Sequence, residues 1–429
     1  MTSRRLAAVD AQMYWMASAI PNDQFLVYAF DGELTDPGPA LQALRSRAGE
    51  SAALAVRVAD AGFWTYPRWE PCAIEADRFT VHRPADASWS ACLAAIADLG
   101  DDQLDARVAP WRLHVFPTVT ELRGPGTGTG AVAVLQMSHA LGDGQRSAAL
   151  AAWLFGRDAP IPPGDVTGHP EWSWVRRSAA AARAHRGLVR DTAAGLVPPQ
   201  AKSRPVLRSN ARPDGARYLR TVLCERRRLP GPTVTVSVLA AVAGALSGHL
   251  EELGEDTAQL GAEVPMAKAG PRRAHNHFGN VGVGLHPRLP FTDRCRAISA
   301  ELHQRRRRAN HPAMVTASAA FAAVPAPLLR WGVRQFDPTV RSETATGNTV
   351  VSSVDRGAND LVLGTSPVLF TTGFPGLSPM MGLTHGVHGL GDTVAVSVHA
   401  AESAVGDVDA YVERLARELR APRAEGPAS

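Results

Sequence analysis

The 429-residue sequence predicts an α/β fold built from two lobes. Short apolar runs of strand length alternate with segments of helical periodicity in both halves of the chain, a pattern typical of α/β sandwiches. The chain is also longer than a single hydrophobic core usually supports. A stretch rich in Pro, Gly and Arg, residues 160–217, separates the two halves. We therefore expect an N-terminal lobe over residues 1–165, a linker over 166–215 and a C-terminal lobe over 216–429.

The N-terminal half shows five elements before its central motif. The third helix has apolar residues at helical spacing, Trp89, Cys92 and Ile96, and the second strand alternates apolar and polar residues. The predicted elements are an amphipathic helix at Leu6–Met16, a strand at Phe25–Phe30, helices at Pro39–Arg47 and Ser88–Leu99, and a strand at Trp111–Phe116.

A glycine-rich segment, residues 124–130, follows with the sequence GPGTGTG. It lacks the lysine of a phosphate-binding loop and is followed by a strand rather than a helix. We predict a hairpin connection and no nucleotide site at this position.

The chain is organised around residues 131–153, which read AVAVLQMSHALGDGQRSAALAAW. Residues 131–137 form an apolar run of strand length, and residues 145–153 return to helical periodicity. The glycines on either side of Asp143 predict a loop that joins the strand to the helix. This arrangement places His139 directly after the end of a buried strand.

His139, Asp143 and Gly144 form an HxxxDG pattern. An imidazole with a near-neutral pKa can take a proton from a hydroxyl, amine or thiol when its tautomer and orientation are fixed. Asp143 can orient the histidine or anchor the loop, and Gly144 lets the backbone turn where a Cβ would clash. A buried structural histidine beside a helix-capping aspartate gives the same pattern, so the motif alone leaves both interpretations open.

The C-terminal half continues the alternation of strands and helices. A short strand that turns into a buried helix is predicted for Thr233–Leu250. The other predicted elements are strands at Glu263–Met266, Asn348–Ser353 and Val394–Val398 and a closing helix at Asp409–Leu419.

The composition argues against several kinds of site. The four cysteines lie far apart with no CxxC pair, so neither a disulfide framework nor a zinc site is predicted. No group of histidines has a metal-binding spacing, and no metal is expected. The N-terminus lacks an apolar signal core, and the uncharged runs 232–247 and 312–329 do not read as membrane spans. A cytoplasmic protein is expected, either free or peripheral to a membrane.

Positive charge is concentrated in residues 173–228, which carry 14 Lys and Arg against 3 Asp and Glu, although the whole chain is only +4. This segment is either a solvated linker helix or an attractor for something anionic, such as the phosphates of coenzyme A, an acidic acyl carrier protein or an anionic lipid surface. No helix-turn-helix, zinc or RNA-binding signature accompanies the charge, so nucleic acid is not expected.

The segment SHALGDG, Ser138 to Gly144, resembles the HHxxxDG signature of the CoA-dependent acyltransferase superfamily, especially its wax ester synthase/diacylglycerol acyltransferase branch. Other segments resemble that branch in the same order along nearly the whole chain. They are Ala109–Val115 for a Pro-Leu-Trp box, Thr233–Leu246 for TVNDVLLAALAGAL, Glu263–Met266 for a Val-Pro strand, Asn276–Val281 for an NxxGN element and Asn348–Ser353 for NLVVSN.

The resemblance implies two chloramphenicol-acetyltransferase-like lobes with mixed sheets and an active-site tunnel between them. It implies that His139 is a general base and that Asp143 pairs with an arginine to hold the loop, with Arg341 and Arg356 as candidate partners. It also implies an acyl thioester of coenzyme A or of a carrier protein as co-substrate, with no cofactor bound permanently. The candidates for an oxyanion site or for the tunnel lining are Ser138, Thr235, Asn280 and Ser352.

Four positions depart from the lipid-synthesising branch: Ser138, Thr235, Val236 and Ser353. Wax ester or triacylglycerol synthesis by O-acyl transfer is therefore one expectation. Acylation of a specialised metabolite, or amide formation in the manner of a condensation domain, is a second, and a catalytically silent binding module is a third. A nucleophilic serine or cysteine is not expected, because the sequence has no GxSxG elbow.

Overall fold

A computed structural model of the chain describes residues 3–122, 126, 128–164 and 173–420. The described residues form two large mixed β-sheets with helices packed against them, so the predicted two-lobed α/β class is confirmed. The strands are β1 (Arg4–Arg5), β2 (Gln24–Asp31), β3 (Val56–Ala59), β4 (Arg68–Pro71), β5 (Phe79–Val81), β6 (Trp111–Val119), β7 (Gly130–Met137), β8 (Arg204–Pro205), β9 (Arg217–Glu225), β10 (Gly261–Ala267), β11 (Phe278–Gly284), β12 (Thr344–Ala345), β13 (Thr349–Asp355), β14 (Val362–Leu363), β15 (Ser366–Gly373), β16 (Leu383–Leu390) and β17 (Thr393–Ala401). The helices are α1 (Ala8–Met16), α2 (Gly38–Glu50), α3 (Trp89–Leu99), α4 (Gly144–Leu154), α5 (Ser173–Ala193), α6 (Val234–Glu252), α7 (Phe291–Ala309), α8 (Pro312–Phe321), α9 (Ala326–Arg334), α10 (Glu402–Val405) and α11 (Val408–Leu419).

The first large sheet has the strand order β14-β15-β2-β7-β6-β5. Its strands are antiparallel except for the parallel pair of β5 and β6. Both faces of this sheet are covered, by a large core cluster on one side and by a smaller cluster around α3 on the other. Every residue of β7 is therefore buried, which explains why its sequence is apolar throughout and does not alternate.

The second large sheet has the order β11-β10-β13-β16-β17-β9. β13 lies parallel to both β10 and β16, and the remaining pairs are antiparallel. α6 packs against α11 and α7 and shares a core cluster with the strands of this sheet, and most of its residues are buried. Two shorter sheets, β1-β4-β3 and β8-β12, complete the described strands.

The two lobes are interlocked through the chain as well as packed together. β15 comes from the C-terminal half of the sequence but pairs with β2 in the first sheet. α9 also comes from that half and packs on α1. The domain boundaries given above stay a prediction, and the boundary between residues 165 and 166 lies outside the described residues.

Two local predictions have clear outcomes. Residues 229–233 form no strand and α6 begins at Val234, so the prediction of a short strand beginning at Thr233 was wrong. Thr233 is instead the N-cap of α6, because its hydroxyl accepts a hydrogen bond from the Val236 amide at 3.2 Å. The strands on either side of the glycine-rich segment, β6 and β7, pair antiparallel, as a hairpin requires, although part of that segment lies outside the described residues.

Among the described residues, α6 is the one single helix that is long and apolar enough to cross a membrane by length and composition. Its most apolar window is 72% buried inside the protein, which is the behaviour of a core helix. α8 and α9 meet the same criterion only as a pair, and a bend of 95° separates them.

Candidate active site

The HxxxDG motif forms a short loop between β7 and α4, as the sequence predicts. β7 ends at Met137, and Asp143 caps α4 by accepting a hydrogen bond from the Arg146 amide at 3.1 Å. The loop is also held from β2, where the Gln24 side-chain amide donates to the Gly142 carbonyl at 2.6 Å. The motif histidine is therefore presented by a segment whose two ends are fixed by regular structure.

His139 lies against the segment between β10 and β11. Its Nδ1 is 3.0 Å from the side-chain oxygen of Asn276, and its ring centroid is 5.8 Å from that of Phe278. Part of the histidine surface remains accessible. A group from the C-terminal half of the chain thus orients the ring.

The orientation of the Asn276 amide follows from its other partners. Its Nδ2 lies 2.9 Å from the Asp10 carboxylate and 2.8 Å from the His139 carbonyl, and both of these groups only accept hydrogen bonds. The other terminal atom of the amide must then be the oxygen, which accepts from His139. Nδ1 therefore carries the proton, and Nε2 of His139 has a free lone pair.

Asp10 is the buried anchor of this arrangement. Its carboxylate accepts hydrogen bonds from the backbone amides of His275 and Asn276, each at 2.9 Å, as well as from the Asn276 side chain. Burial raises the pKa of Asp10 to about 6, and these hydrogen bonds oppose the rise. One carboxylate from α1 thus fixes two consecutive residues of the opposite lobe.

The protonation state of His139 is set by its surroundings. Burial lowers its pKa below 6.5, while hydrogen bonds to its own backbone and to Asn276 and the charge of Asp143 act in the opposite direction. A histidine with this shift is neutral at pH 7 and able to accept a proton.

Asp143 is paired with Arg272, not with Arg341 or Arg356. Two guanidinium nitrogens of Arg272 lie 2.9 and 3.2 Å from its carboxylate oxygens, and the His277 amide donates to the same carboxylate at 2.8 Å. Both partners are largely buried, with 12% and 8% of the side chains exposed. The arginine that pairs with Asp143 is therefore Arg272, which lies in the segment between β10 and β11.

The two arginines suggested from the sequence have other partners. Arg341 donates to the Asn210 carbonyl at 2.8 Å. Arg356 is buried and donates to Thr371 at 2.7 Å, and it lies 3.1 Å from Nδ1 of His388. The true partner, Arg272, could not be identified from sequence spacing, because it lies 129 residues from Asp143.

Gly144 allows α4 to approach β13 closely. A Cβ at this position would lie 2.7 Å from a methyl group of Val354, too close for any side chain. Ser352 is two residues from Val354 and therefore points to the same face of β13. Of the residues suggested for the oxyanion site, Ser352 is the one placed on the strand face that meets the motif.

The other candidates have different surroundings. Ser138 is buried next to His139, and the Thr235 hydroxyl is 2.9 Å from that of Ser353. The pair Thr235 and Ser353 lines a cavity of about 450 Å³ that opens between the start of α6 and the ends of β13 and β16. Asn280 is exposed and donates to Glu263, so the structure does not bring it to His139.

A second cavity, of about 270 Å³, lies between the two lobes. Its apolar wall comes from the start of β2, from α3 and from the segment that follows β15, with Phe25, Ile96 and Phe374 as examples. Within the described residues no cluster of three or more His, Cys, Asp or Glu side chains has a metal-binding arrangement. His139 is not among the residues that line either cavity, so the candidate base and the apolar space are separate features of the described structure.

Three residues that complete this arrangement around His139 were not predicted from the sequence. Asn276 lies in the NxxGN element that carried the family resemblance, but Asn280 was chosen as the site residue. Asp10 lies in the predicted helix Leu6–Met16, in which no site residue was proposed. Arg272 lies in a charged loop with no motif of its own. Only the first asparagine of the NxxGN element was a usable signal.

No family model matches the chain, and no curated protein matches it by sequence. A wax ester synthase/diacylglycerol acyltransferase from Marinobacter aquaeolei VT8 has a similar structure, with a TM-score of 0.61 and 16% identity over 97% of this chain and 98% of that one. The starter condensation domain of rhizomide synthetase, solved with C8-CoA and Leu-SNAC, has a TM-score of 0.56 and 14% identity over 98% and 93% of the two chains.

The chain has the two-lobed fold of these acyltransferases and condensation domains. The resemblance seen in the sequence is thereby confirmed at the level of the fold. The low identities are those of a diverged protein. The fold places His139 between two lobes, which is where ligand sites generally lie in such proteins.

We expect Asp143→Ala to lower the free energy of unfolding by about 3 kcal/mol, because it leaves the buried Arg272 guanidinium without its anion. Urea unfolding would measure the loss. The double variant Asp143→Ala/Arg272→Ala should recover part of it. As a matched control, Asp158→Ala removes a carboxylate that pairs with Arg47 but is 78% exposed, and it should cost less than about 1 kcal/mol. Equal losses for the two aspartates would contradict the assignment.

We expect Gly144→Ala to lower activity, because the new Cβ would push α4 and the motif loop away from Val354. A displacement of about 1 Å at a catalytic group can cost on the order of 100-fold in rate. The second change Val354→Ala removes the clashing methyl group and should restore most of the activity. A Gly144→Ala variant that is fully active, or one that Val354→Ala does not improve, would argue against close packing as the reason for the glycine.

Proposed function

We propose that this protein is an acyltransferase that moves an acyl group from a thioester to a hydroxyl acceptor, with Nε2 of His139 as the general base. The observation that carries the proposal is the contact between Nδ1 of His139 and Asn276. This contact fixes the tautomer that leaves Nε2 free, and burial keeps the ring neutral. The fold shared with acyltransferases and condensation domains supports the same reaction class.

In the proposed reaction, the acceptor oxygen attacks the thioester carbonyl while Nε2 of His139 removes its proton. The carbonyl oxygen becomes an oxyanion, which requires preorganised hydrogen-bond donors. When the intermediate collapses, the carbon–sulfur bond breaks and the imidazolium returns the proton to the thiolate. Ser352 is our first candidate for an oxyanion donor because of its strand face, and Ser138 and Thr235 remain further candidates.

The donor is proposed to be an acyl-CoA or the acyl thioester of a carrier protein. A similar structure, the starter condensation domain, was solved with C8-CoA, which supports a thioester donor. The inter-lobe cavity with its apolar wall is suited to an acyl chain.

Amide formation is the second candidate reaction. The condensation domain matches as much of this chain as the wax ester synthase does. In addition, the contacting hydroxyl pair Thr235 and Ser353 stands where the lipid-synthesising branch has two asparagines. Both differences lie in one cavity beside the motif, so a change of acceptor there is consistent with a nitrogen nucleophile or a specialised metabolite.

The direct test measures thiol release from acyl-CoA with a panel of long-chain alcohols, diacylglycerol and amines. We expect His139→Ala to lower kcat/KM by about 100-fold or more, the usual contribution of general base catalysis. Asn276→Ala should lower kcat on the order of 10- to 100-fold with little change in KM, as when a group that orients a catalytic histidine is removed. Asn280→Ala is the matched control from the same NxxGN element and should be near wild type.

Each other outcome has a definite meaning. Turnover by His139→Ala at the wild-type rate would remove His139 as the base. Equal losses for the two asparagine variants would contradict the tautomer argument. If the wild-type protein releases no thiol from acyl-CoA or from an acyl carrier protein with any acceptor, the binding-module interpretation replaces catalysis.

The pH dependence provides an independent test. The pKa of His139 is lowered by burial, so the acid limb of kcat/KM should have its midpoint below pH 6.5. Asp10, with its pKa raised to about 6, gains a proton in the same range and then holds Asn276 less firmly. Activity should therefore be constant near pH 7 and fall as the pH decreases below 6.5. An acid limb centred at pH 7 or above would contradict a desolvated base.

A further inference from the structure

One face of the molecule combines exposed arginines with exposed large apolar side chains and has no acidic residue in its sequence. It consists of residues 61–68, 173–190 and 310–336, which together contain eight arginines and no Asp or Glu. We call these three segments the basic apolar face. Its composition stands out in a chain that has nearly equal numbers of basic and acidic residues overall, 45 and 41.

The three segments adjoin one another in the structure. α5 packs along α8, and the Arg177 side chain donates to the Ala319 carbonyl at 3.3 Å. α9 follows α8 after four residues and lies beside the first segment. Tyr66 donates to the Val324 carbonyl at 2.6 Å, and the Arg334 guanidinium lies 5.4 Å from the centre of the Phe63 ring.

The arginines of α5 form a stripe. Arg176, Arg183 and Arg190 are each seven residues apart, which is close to two helical turns, so they lie along one side of the helix. Arg186 lies between the last two on the adjoining part of the surface. All four are exposed, and within the described residues none of them is paired with a carboxylate. This stripe is therefore a row of accessible positive charge.

Large apolar side chains are exposed on the rest of the face. Trp64 is 78% exposed and Trp331 is 59% exposed. Trp64 belongs to the first segment and Trp331 to α9, and these two parts of the chain are in contact. Leu328, one turn before Trp331, is 48% exposed, and Met314 and Val315 of α8 are 40% and 59% exposed. Clustered exposed groups of this size mark a surface that binds something.

Three acidic residues adjoin the ends of the segments. Asp60 is largely buried and pairs with Arg330, Asp191 pairs with His311, and Asp337 is exposed and accepts hydrogen bonds from Thr339. An anionic partner would meet no exposed carboxylate on the three segments themselves.

We propose that the basic apolar face docks on an anionic lipid bilayer. Tryptophan and leucine side chains can enter the boundary between headgroups and acyl chains, and arginines attract anionic headgroups. The 95° bend between α8 and α9 suits helices that lie in the interface rather than cross it. An acidic protein would also match the arginine stripe, and the comparison with an acyl carrier protein described below separates the two partners. The proposal does not depend on the proposed acyl transfer.

The test is co-sedimentation of the full chain with vesicles of phosphatidylcholine alone and of phosphatidylcholine with about 30% phosphatidylglycerol. We expect binding to the anionic vesicles and at least tenfold weaker partitioning to neutral ones, because each arginine near such a surface contributes about a factor of five. Raising the salt concentration to 1 M should weaken the binding, since the charge attraction is screened.

Two sets of variants separate charge from insertion. The triple change Arg176→Ser, Arg183→Ser and Arg190→Ser should reduce partitioning at least tenfold. Trp64→Ala with Trp331→Ala should reduce it about fivefold. Arg288→Ser and Val108→Ala are matched controls on exposed side chains outside the face and should leave partitioning unchanged. Thiol release from soluble acyl-CoA without vesicles should be the same in all variants, which keeps this test distinct from that of catalysis.

Several results would overturn the proposal. Failure of the wild-type chain to sediment with anionic vesicles would do so, and so would equal loss of binding in the control variants. Binding to a purified acidic acyl carrier protein that disappears in the arginine variant, without any vesicle binding, would identify the face as a protein-docking surface instead.

Discussion

The candidate site depends on two buried carboxylates of the N-terminal half that are satisfied by one short segment of the C-terminal half. Asp10 and Asp143 receive consecutive backbone amides, from His275, Asn276 and His277, and Asp143 also receives the Arg272 guanidinium. A buried carboxylate without such donors would be costly. The lobes must therefore be docked in this register for either charge to be compensated.

The same contacts that join the lobes also orient the catalytic candidate. Asn276 is held by Asp10 through its backbone and its side chain, and this leaves its oxygen directed at Nδ1 of His139. The stability of the lobe interface and the tautomer of the histidine are thus consequences of one hydrogen-bond network. The Asp10 carboxylate of α1 does not contact His139, yet by orienting Asn276 it keeps the proton on Nδ1 and the lone pair on Nε2.

Burial has opposite effects on the two ionisable groups of this network. It lowers the pKa of His139, which favours the neutral imidazole, and it raises that of Asp10 to about 6. At pH 7 the two effects leave a neutral base beside an ionised anchor. Burial therefore makes the imidazole more fully neutral at pH 7 and moves the loss of the Asp10 charge from the ordinary acidic range up to about pH 6.

The sequence by itself determined the α/β class, the strand, loop and helix around His139, and the expectation that Asp143 holds the loop. These features are local, because the buried run of β7, the cap of α4 and the glycine at 144 depend on residues within a few positions of each other. The fold resemblance was also visible, since it rests on the order of several short segments. The start of α6 was misread, because the β-branched residues at 233–236 favour a strand, while the hydroxyl of Thr233 caps a helix.

Only the tertiary structure decided which residues complete the site. Asp10, Asn276 and Arg272 are separated from the motif by more than a hundred residues, and chain distance carries no information about which amide or guanidinium reaches a buried carboxylate. The choice between Asn276 and Asn280 likewise depended on where each residue lies relative to β11. Asn276 lies just before the strand, is buried and contacts His139, whereas Asn280 lies on the strand and is exposed. The basic apolar face was hidden for the same reason, because its three segments become one surface only when the helices pack.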